Sequence, residues 1–451
     1  MIKSIFKIIM NFSLIIAISM IPGCATTATG EKRPERDAED RLVERVIIEV
    51  DRGNMARALQ IYEAGNGQDP LLHAVLLIKN RQLDKAESIL SEVLRKDGSN
   101  ITALYYTSLI YNSRGDSENE KKVLQRIIIL DADNPDVNVA LGRIYMEEKN
   151  YSRAESLFKK VISPNNYIEE AVLGHAMVLL IQGKNDEALA QFNTVIENNP
   201  NNMIAYAQRA RIKATRDDYR GAERDLDEAI RIDSDYMWNY FDRGRARLYN
   251  GRFGSAAEDF TKVLSYDDSI FMAYIHRAQA NEGMGRDNLA LADYKKALEI
   301  REDYRRGFVP YALQLYRAGQ WTEAAIYFIN AYNIDASPEY LLLGAVSLIH
   351  ANEKEMARKL ITDNMNKIPR DNLFHHIARM YIDPPYETMV LNRLRDETDS
   401  FDAMQGMFYI AIYYDTIGKN VLSERYYIDI INSDFPESLE HKVANWKLQK
   451  K

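Results

Sequence analysis

Residues 237–270 read MWNYFDRGRARLYNGRFGSAAEDFTKVLSYDDSI, and residues 271–304 read FMAYIHRAQANEGMGRDNLALADYKKALEIREDY. Set one above the other, these 34-residue stretches place small, large and turn-forming side chains alike. The register extends outward, with repeats starting at residues 67, 101, 135, 169, 203, 237, 271 and 305. The eighth position is always small, as at Ala74, Ser108, Gly142, Ala210 and Gly244. The twentieth is alanine in every repeat except the second, where Glu120 stands. The twenty-fourth is large and apolar or aromatic, as at Leu90, Phe158, Phe192, Phe260 and Phe328. A fixed period of this length marks an array in which each repeat buries its apolar face against its neighbours.

Apolar residues at three- and four-residue spacing predict two helices per repeat, each with one buried stripe. Small residues at positions 8 and 20 let the pair approach closely, and the large residue at 24 fills the space towards the next repeat. Gly115, Gly183, Gly251, Gly285 and Gly319 fall midway, where a tight turn needs the positive φ open to glycine. Strand-like alternation is absent. The expected fold is all-α, a solenoid of stacked antiparallel helix hairpins.

The pattern resembles the tetratricopeptide repeat, whose signature combines small residues at 8 and 20, an aromatic at 24 and a proline at 32. The resemblance implies a right-handed superhelix. Two departures stand out. Tyr206, Tyr240, Tyr274 and Phe308 occupy position 4, where the family has tryptophan, and the proline at 32 appears within these eight repeats only as Pro200. Outside residues 67–337 the pattern continues more loosely. Residues 39–66 read as a shortened leading hairpin, 338–370 as a ninth repeat with one residue deleted, and 404–436 as a C-terminal repeat. Residues 371–403, broken by Pro384-Pro385, read as an irregular helical segment. Leu439, Val443 and Trp446 share one face of an expected capping helix over 437–451.

At the other end, Lys3 and Lys7 precede an apolar run from Ile8 to Met20 and then Ile21-Pro22-Gly23-Cys24. A short apolar core behind two lysines describes a signal peptide over residues 1–23 rather than a membrane span. Ile-Pro-Gly-Cys resembles a bacterial lipobox, which implies cleavage before Cys24 and lipid on its thiol. Cys24 is the single cysteine of the chain, so no internal disulfide is possible. Ala25 in the next place implies, by the same resemblance, transfer to the outer membrane. Residues 24–38 lack apolar periodicity and read as a flexible tether.

The formal charge is −8, and loss of Lys3 and Lys7 with the signal would take it to −10. Neither value suits nucleic acid, which needs a basic face. None of the seven histidines has metal-ligand spacing, and His375-His376 would point about 100° apart on a helix. No phosphate-binding glycine loop and no nucleophile elbow occurs. The expectation is a non-enzyme with no cofactor and no metal.

Two sets of arginines remain. Arg209, Arg243 and Arg277 stand at position 7 in the same three repeats that put Asp225, Asp259 and Asp293 at position 23. This co-occurrence predicts a structural arginine–aspartate ladder between helices. For the second set, the family resemblance implies that first-helix positions 2, 5, 9 and 12 line a concave groove. They carry Tyr105, Arg143, Arg211, Trp238, Phe241, Arg245, Gln279 and Tyr316, with Tyr249 flanking them. Trp238, Phe241 and Arg245 share one helical face. Aromatic and arginine side chains carry much of the binding energy at interfaces, and an arginine fork grips a carboxylate. The family's lysine–asparagine carboxylate clamp is not reproduced.

The expectation is a lipid-anchored scaffold of the bacterial cell envelope, holding a peptide or helix in its groove within an assembly or secretion complex. The alternatives are a surface adhesin for external proteins and an accessory of polysaccharide export.

Overall fold

The computed structural model describes residues 34–163 and 167–449. The expected signal peptide, Cys24 and most of the expected tether lie outside them. Among the described residues there are twenty-five α-helices and no strand. The chain divides into two compact units, one of residues up to 218 plus 227–233, the other of 219–226 plus 234 onwards.

In the first unit the helices run α1 (Pro34–Asp51), α2 (Met55–Ala64), α3 (Pro70–Lys79), α4 (Leu83–Lys96), α5 (Ile101–Arg114), α6 (Ser117–Leu130), α7 (Pro135–Glu147), α8 (Tyr151–Val161), α9 (Glu169–Ile181), α10 (Asn185–Asn198) and α11 (Met203–Ala214). Helix α12 (Tyr219–Ile232) is divided between the units. The second unit continues with α13 (Met237–Tyr249), α14 (Phe253–Tyr266), α15 (Phe271–Gly283), α16 (Asp287–Ile300), α17 (Phe308–Arg317), α18 (Trp321–Asp335), α19 (Pro338–His350) and α20 (Lys354–Asn364). It ends with α21 (Leu373–Ile382), α22 (Glu387–Asp396), α23 (Ser400–Thr416), α24 (Asn420–Ile431) and α25 (Leu439–Gln449). Within each unit consecutive helices pack as antiparallel hairpins, and first helices of successive hairpins touch, as α7 does α9 and α13 does α15.

The packing follows the repeat chemistry. Ala86, Ala154, Ala188, Ala256, Ala290 and Ala324 are fully buried at position 20, and Phe158, Phe192, Phe260 and Phe328 are fully buried at position 24. The ring of Phe158 lies so close to α7 and α9 that a Cβ at Gly142 would meet it at 2.7 Å and one at Gly174 at 2.5 Å. Small and large positions are therefore two halves of one contact. Such close packing makes added volume costly.

Every hairpin but α21–α22 turns through one residue of positive φ. At Gly251 the chain enters the left-handed region with φ of 73°; its N–H donates to Leu248 O, and Arg252 N–H donates to Arg247 O. This paired closure ends a helix and satisfies its last carbonyls. The same bonds recur at Gly115 and at Lys149, where φ is 61° without glycine's freedom. Asparagine and aspartate start the next helices: Asn100, Asn134 and Asn202 cap first helices, and Asp116 and Asn150 cap second ones.

One expectation needs correction. Helix α1 begins at Pro34, so the last part of the expected tether is helical. Residues 371–403 hold α21 and α22, on either side of Pro384-Pro385. The two prolines form a 3-10 turn that leads into α22, where a missing N–H costs no intrahelical bond.

The turn geometry gives opposite expectations for two substitutions. Gly251→Ala meets no atom within 4 Å, so its cost is backbone strain alone, about 1 kcal/mol. Lys149→Gly is expected to stabilise the chain by a similar or smaller amount, about 0.5–1 kcal/mol. Denaturant melts of the two variants check both signs.

Candidate functional site

The first helices present the side chains that the family resemblance assigns to a groove, and the structure sorts them into groups. In the first unit Tyr105 of α5 is half-buried, and burial, with Asp136 adding, pushes its hydroxyl up. Arg143 of α7 does not offer its charge to solvent. Its side chain is 13% exposed and donates to Glu120 and, at 3.3 Å, to Glu147. Glu120 is the acid that breaks the small-residue rule at position 20, and it is buried. Burial pushes its carboxyl up, against the pull of Arg143 and of the Asn112 amide at 2.8 Å. Arg143 is thus a counter-ion for a neighbouring hairpin, which corrects its expected groove role. The signal was in the sequence, at Glu120. Arg211 of α11 is exposed and donates to Gln208 at 3.2 Å.

In the second unit α13 carries Trp238, Phe241, Arg245 and Tyr249. Trp238 meets Phe241 edge-on at 5.6 Å. Phe241 in turn packs on Phe260 at 5.8 Å and His276 at 5.7 Å, so it anchors the face in the core. Arg245 is 47% exposed, with the Asp242 carboxylate 3.8 Å away, too far for a strong bond. Tyr249 is 56% exposed and its ring stacks on Tyr219 at 5.5 Å. Gln279, from α15, is exposed while its Oε1 accepts from His276 Nδ1 at 2.9 Å. Burial pushes the His276 imidazole below its ordinary value. Along α13, Trp238 stands near the start, the exposed Arg245 two turns on and the exposed Tyr249 at the end.

Tyr316 of α17 belongs to the core instead. It is 3% exposed and lies under α25, with Trp446 at 6.3 Å and the Lys447 ammonium 5.8 Å from its ring. Lys447 is fixed by Asp415 at 3.0 Å, and Asp415 also accepts from Tyr427 at 2.8 Å. His350 stacks edge-on at 5.6 Å, and burial, with Lys447 adding, holds its pKa at about 4. The expected groove position is filled by the chain's own C-terminal helix, whose occupancy no periodicity could reveal.

The position-7 arginines are structural. Arg243 grips Asp259 in two-point fashion at 2.7 and 3.1 Å, and Arg277 grips Asp293 at 2.7 and 2.9 Å. Arg247 adds a second cation to Asp259 at 2.9 Å and reaches Glu223 at 2.7 Å. Burial pushes the Asp259 carboxyl up despite these partners. The guanidinium of each position-7 arginine lies 5.4 Å from the tyrosine at position 4, for Arg209 and Tyr206 as for Arg243 and Tyr240 and for Arg277 and Tyr274. That contact gives tyrosine a role where the family has tryptophan. Arg209 donates to Asn193 at 2.8 Å, and Asp225 is buried.

A helical array with such hairpins and a shared first-helix face is a repeat protein of the solenoid class. Residues 135–164, 173–236 and 241–305 match tetratricopeptide-repeat family models, and the chain carries tetratricopeptide repeats, which are protein–protein interaction modules. It is similar to a DnaJ homolog subfamily C member 7 homolog of Dictyostelium discoideum, 24% identical over 184 residues, covering 37% of this chain and 34% of that protein. The match spans about a third of that relative's length. Among solved structures it resembles a tetratricopeptide repeat protein from Parabacteroides merdae, at 20% identity and a TM-score of 0.40, covering 54% of this chain and 98% of that one. The C-terminal part of a repeat protein from Cytophaga hutchinsonii is similar at 17% identity and a TM-score of 0.41, covering 52% and 96%.

The Glu120–Arg143 account predicts a non-additive pair. Arg143→Ala alone strands a buried carboxylate and is expected to cost about 3 kcal/mol. The double variant Glu120→Ala with Arg143→Ala installs the alanine of the other repeats and is expected to recover most of that loss. Chemical denaturation of the single and double variants measures the coupling.

Proposed function

We propose that this chain is a lipid-anchored scaffold of the bacterial cell envelope that holds a partner protein on the α13–α15 face of its second unit. The observation that carries the reading is the contrast between equivalent positions. Arg143 and Tyr316 are consumed by internal contacts, while Arg245, Tyr249 and Gln279 stay exposed. A rigid aromatic shelf next to a guanidinium suits a segment with an apolar side chain and a carboxylate. The acidic net charge of −8 speaks against nucleic acid as that partner.

Anchoring rests on the sequence around Cys24: two lysines, a short apolar run, the lipobox-like Ile-Pro-Gly-Cys and no other cysteine. Ala25 favours the outer membrane. Among the described residues no helix is long and apolar enough to cross a membrane.

Arg245→Ala combined with Tyr249→Ala removes two exposed groups and is expected to lower stability by no more than the Tyr249–Tyr219 ring contact contributes, about 0.5–1.5 kcal/mol. In cross-linked envelopes purified through this chain, the variant is expected to lose about tenfold or more of the main partner, as two interface anchors worth over 1 kcal/mol each imply. Equal recovery with wild type would contradict the site. Cys24→Ser is the parallel test of anchoring: it is expected to release the chain from the membrane fraction, and unchanged retention would contradict the lipid.

A further inference from the structure

Helix α25 covers a row of first-helix side chains that stays open elsewhere in the second unit. Arg317 stands thirteenth in the eighth repeat, as Tyr249 does in the sixth. Tyr249 is 56% exposed, whereas the Arg317 side chain is 15% exposed, with its guanidinium 6.0 Å from the Trp446 ring. One place earlier, Tyr316 lies under Trp446 and Lys447, and His350 from the end of α19 packs edge-on against it. The covered row therefore belongs to α17 and α19, and its cover is the last helix of the chain.

The way α25 is held makes that cover separable. It has eleven residues, and an isolated helix that short is marginal, so α25 owes its form to its seat. Its first turn is seated through the buried Glu440, whose carboxyl accepts from Gln405 Nε2 at 2.8 Å. Burial, with Glu339 adding, pushes that carboxyl up. Seating an acid on an amide rather than on a cation is costly. The last turn is seated by Lys447 on Asp415 and by the Trp446 ring on Tyr316. A terminal element attached in this way opens at less than the global free energy.

Whatever takes the place of α25 must replace it in kind. Without Lys447, Asp415 loses the cation beside it, which is costly for a carboxylate whose side chain is 17% exposed. Tyr316 loses the Trp446 ring in the same step. The seat therefore selects a segment with an aromatic residue next to a lysine. We infer that α25 is an autoinhibitory contact: it closes the first-helix row of α17 and α19 on its own chain and gives way to a partner segment with the same aromatic–lysine pair. This row is separate from the α13–α15 face and does not need the partner proposed there.

The test uses the full chain and, as the probe, a labelled synthetic peptide of residues 437–451. Wild type is expected to bind this peptide about tenfold or more weakly than the variant Trp446→Ala with Lys447→Ala, because the tethered helix competes at high effective concentration. A peptide carrying Lys447→Ala is expected to bind the variant chain about tenfold more weakly than the unchanged peptide, the loss of one charged hydrogen bond. Hydrogen exchange on wild type needs no variant and is read in parallel: the amides of α25 are expected to be about tenfold or more less protected than those of α17 and α19. Equal binding of the peptide to wild type and variant would overturn the inference. So would equal binding of the two peptides, or α25 amides protected as well as those of α17 and α19, and α25 would then be a fixed structural cap.

Discussion

A large ring pressed against a helix that has no side chain to spare is the contact on which the rest of this structure depends. Phe158 fits only because positions 142 and 174 are glycine, and Phe260 meets Gly244 in the same way. Each hairpin can approach the next only while one partner stays large and the other small. Within each unit the first helices are thereby set side by side. Residues pointing away from that contact are free of it, and the proposed binding face is drawn from them.

The polar exceptions obey the same constraint. Where Glu120 replaces the small alanine, the carboxylate is buried and must be neutralised, and Arg143 from the next hairpin is drawn inwards to do it. Where arginine enters position 7, aspartate answers from position 23 and the position-4 tyrosine lies beside the guanidinium. Buried pairs of this kind add little net stability, but each partner makes the other indispensable. Charges that look available in a helical projection are in this way withdrawn from the surface.

The architecture was legible because it repeats: small, large and glycine positions recur at one spacing, and every recurrence strengthens the reading. Two rungs of the expected arginine–aspartate ladder, Arg243–Asp259 and Arg277–Asp293, were legible for the same reason, from two positions changing together. The site was legible only in part. Trp238, Arg245 and Tyr249 follow from the stripe on a single helix. The fate of Arg143 depended on an acid in the preceding hairpin, and that of Tyr316 on a helix at the far end of the chain. Neither contact is periodic; the first leaves a mark only as Glu120 at a position otherwise alanine, and the second leaves none. Over residues 371–403 the helical character was legible but the repeat register was not, because the turn uses two prolines and no glycine.

The central claim is that the exposed first-helix face of the second unit, and not its second-helix face, holds the partner. A photo-reactive residue installed in place of Gln279 on α15, with a control in place of Thr261 on α14, tests it in living cells, both positions being exposed. The account predicts a discrete cross-linked species from position 279 and none from position 261. Adducts of equal yield from both, or from position 261 alone, would contradict it.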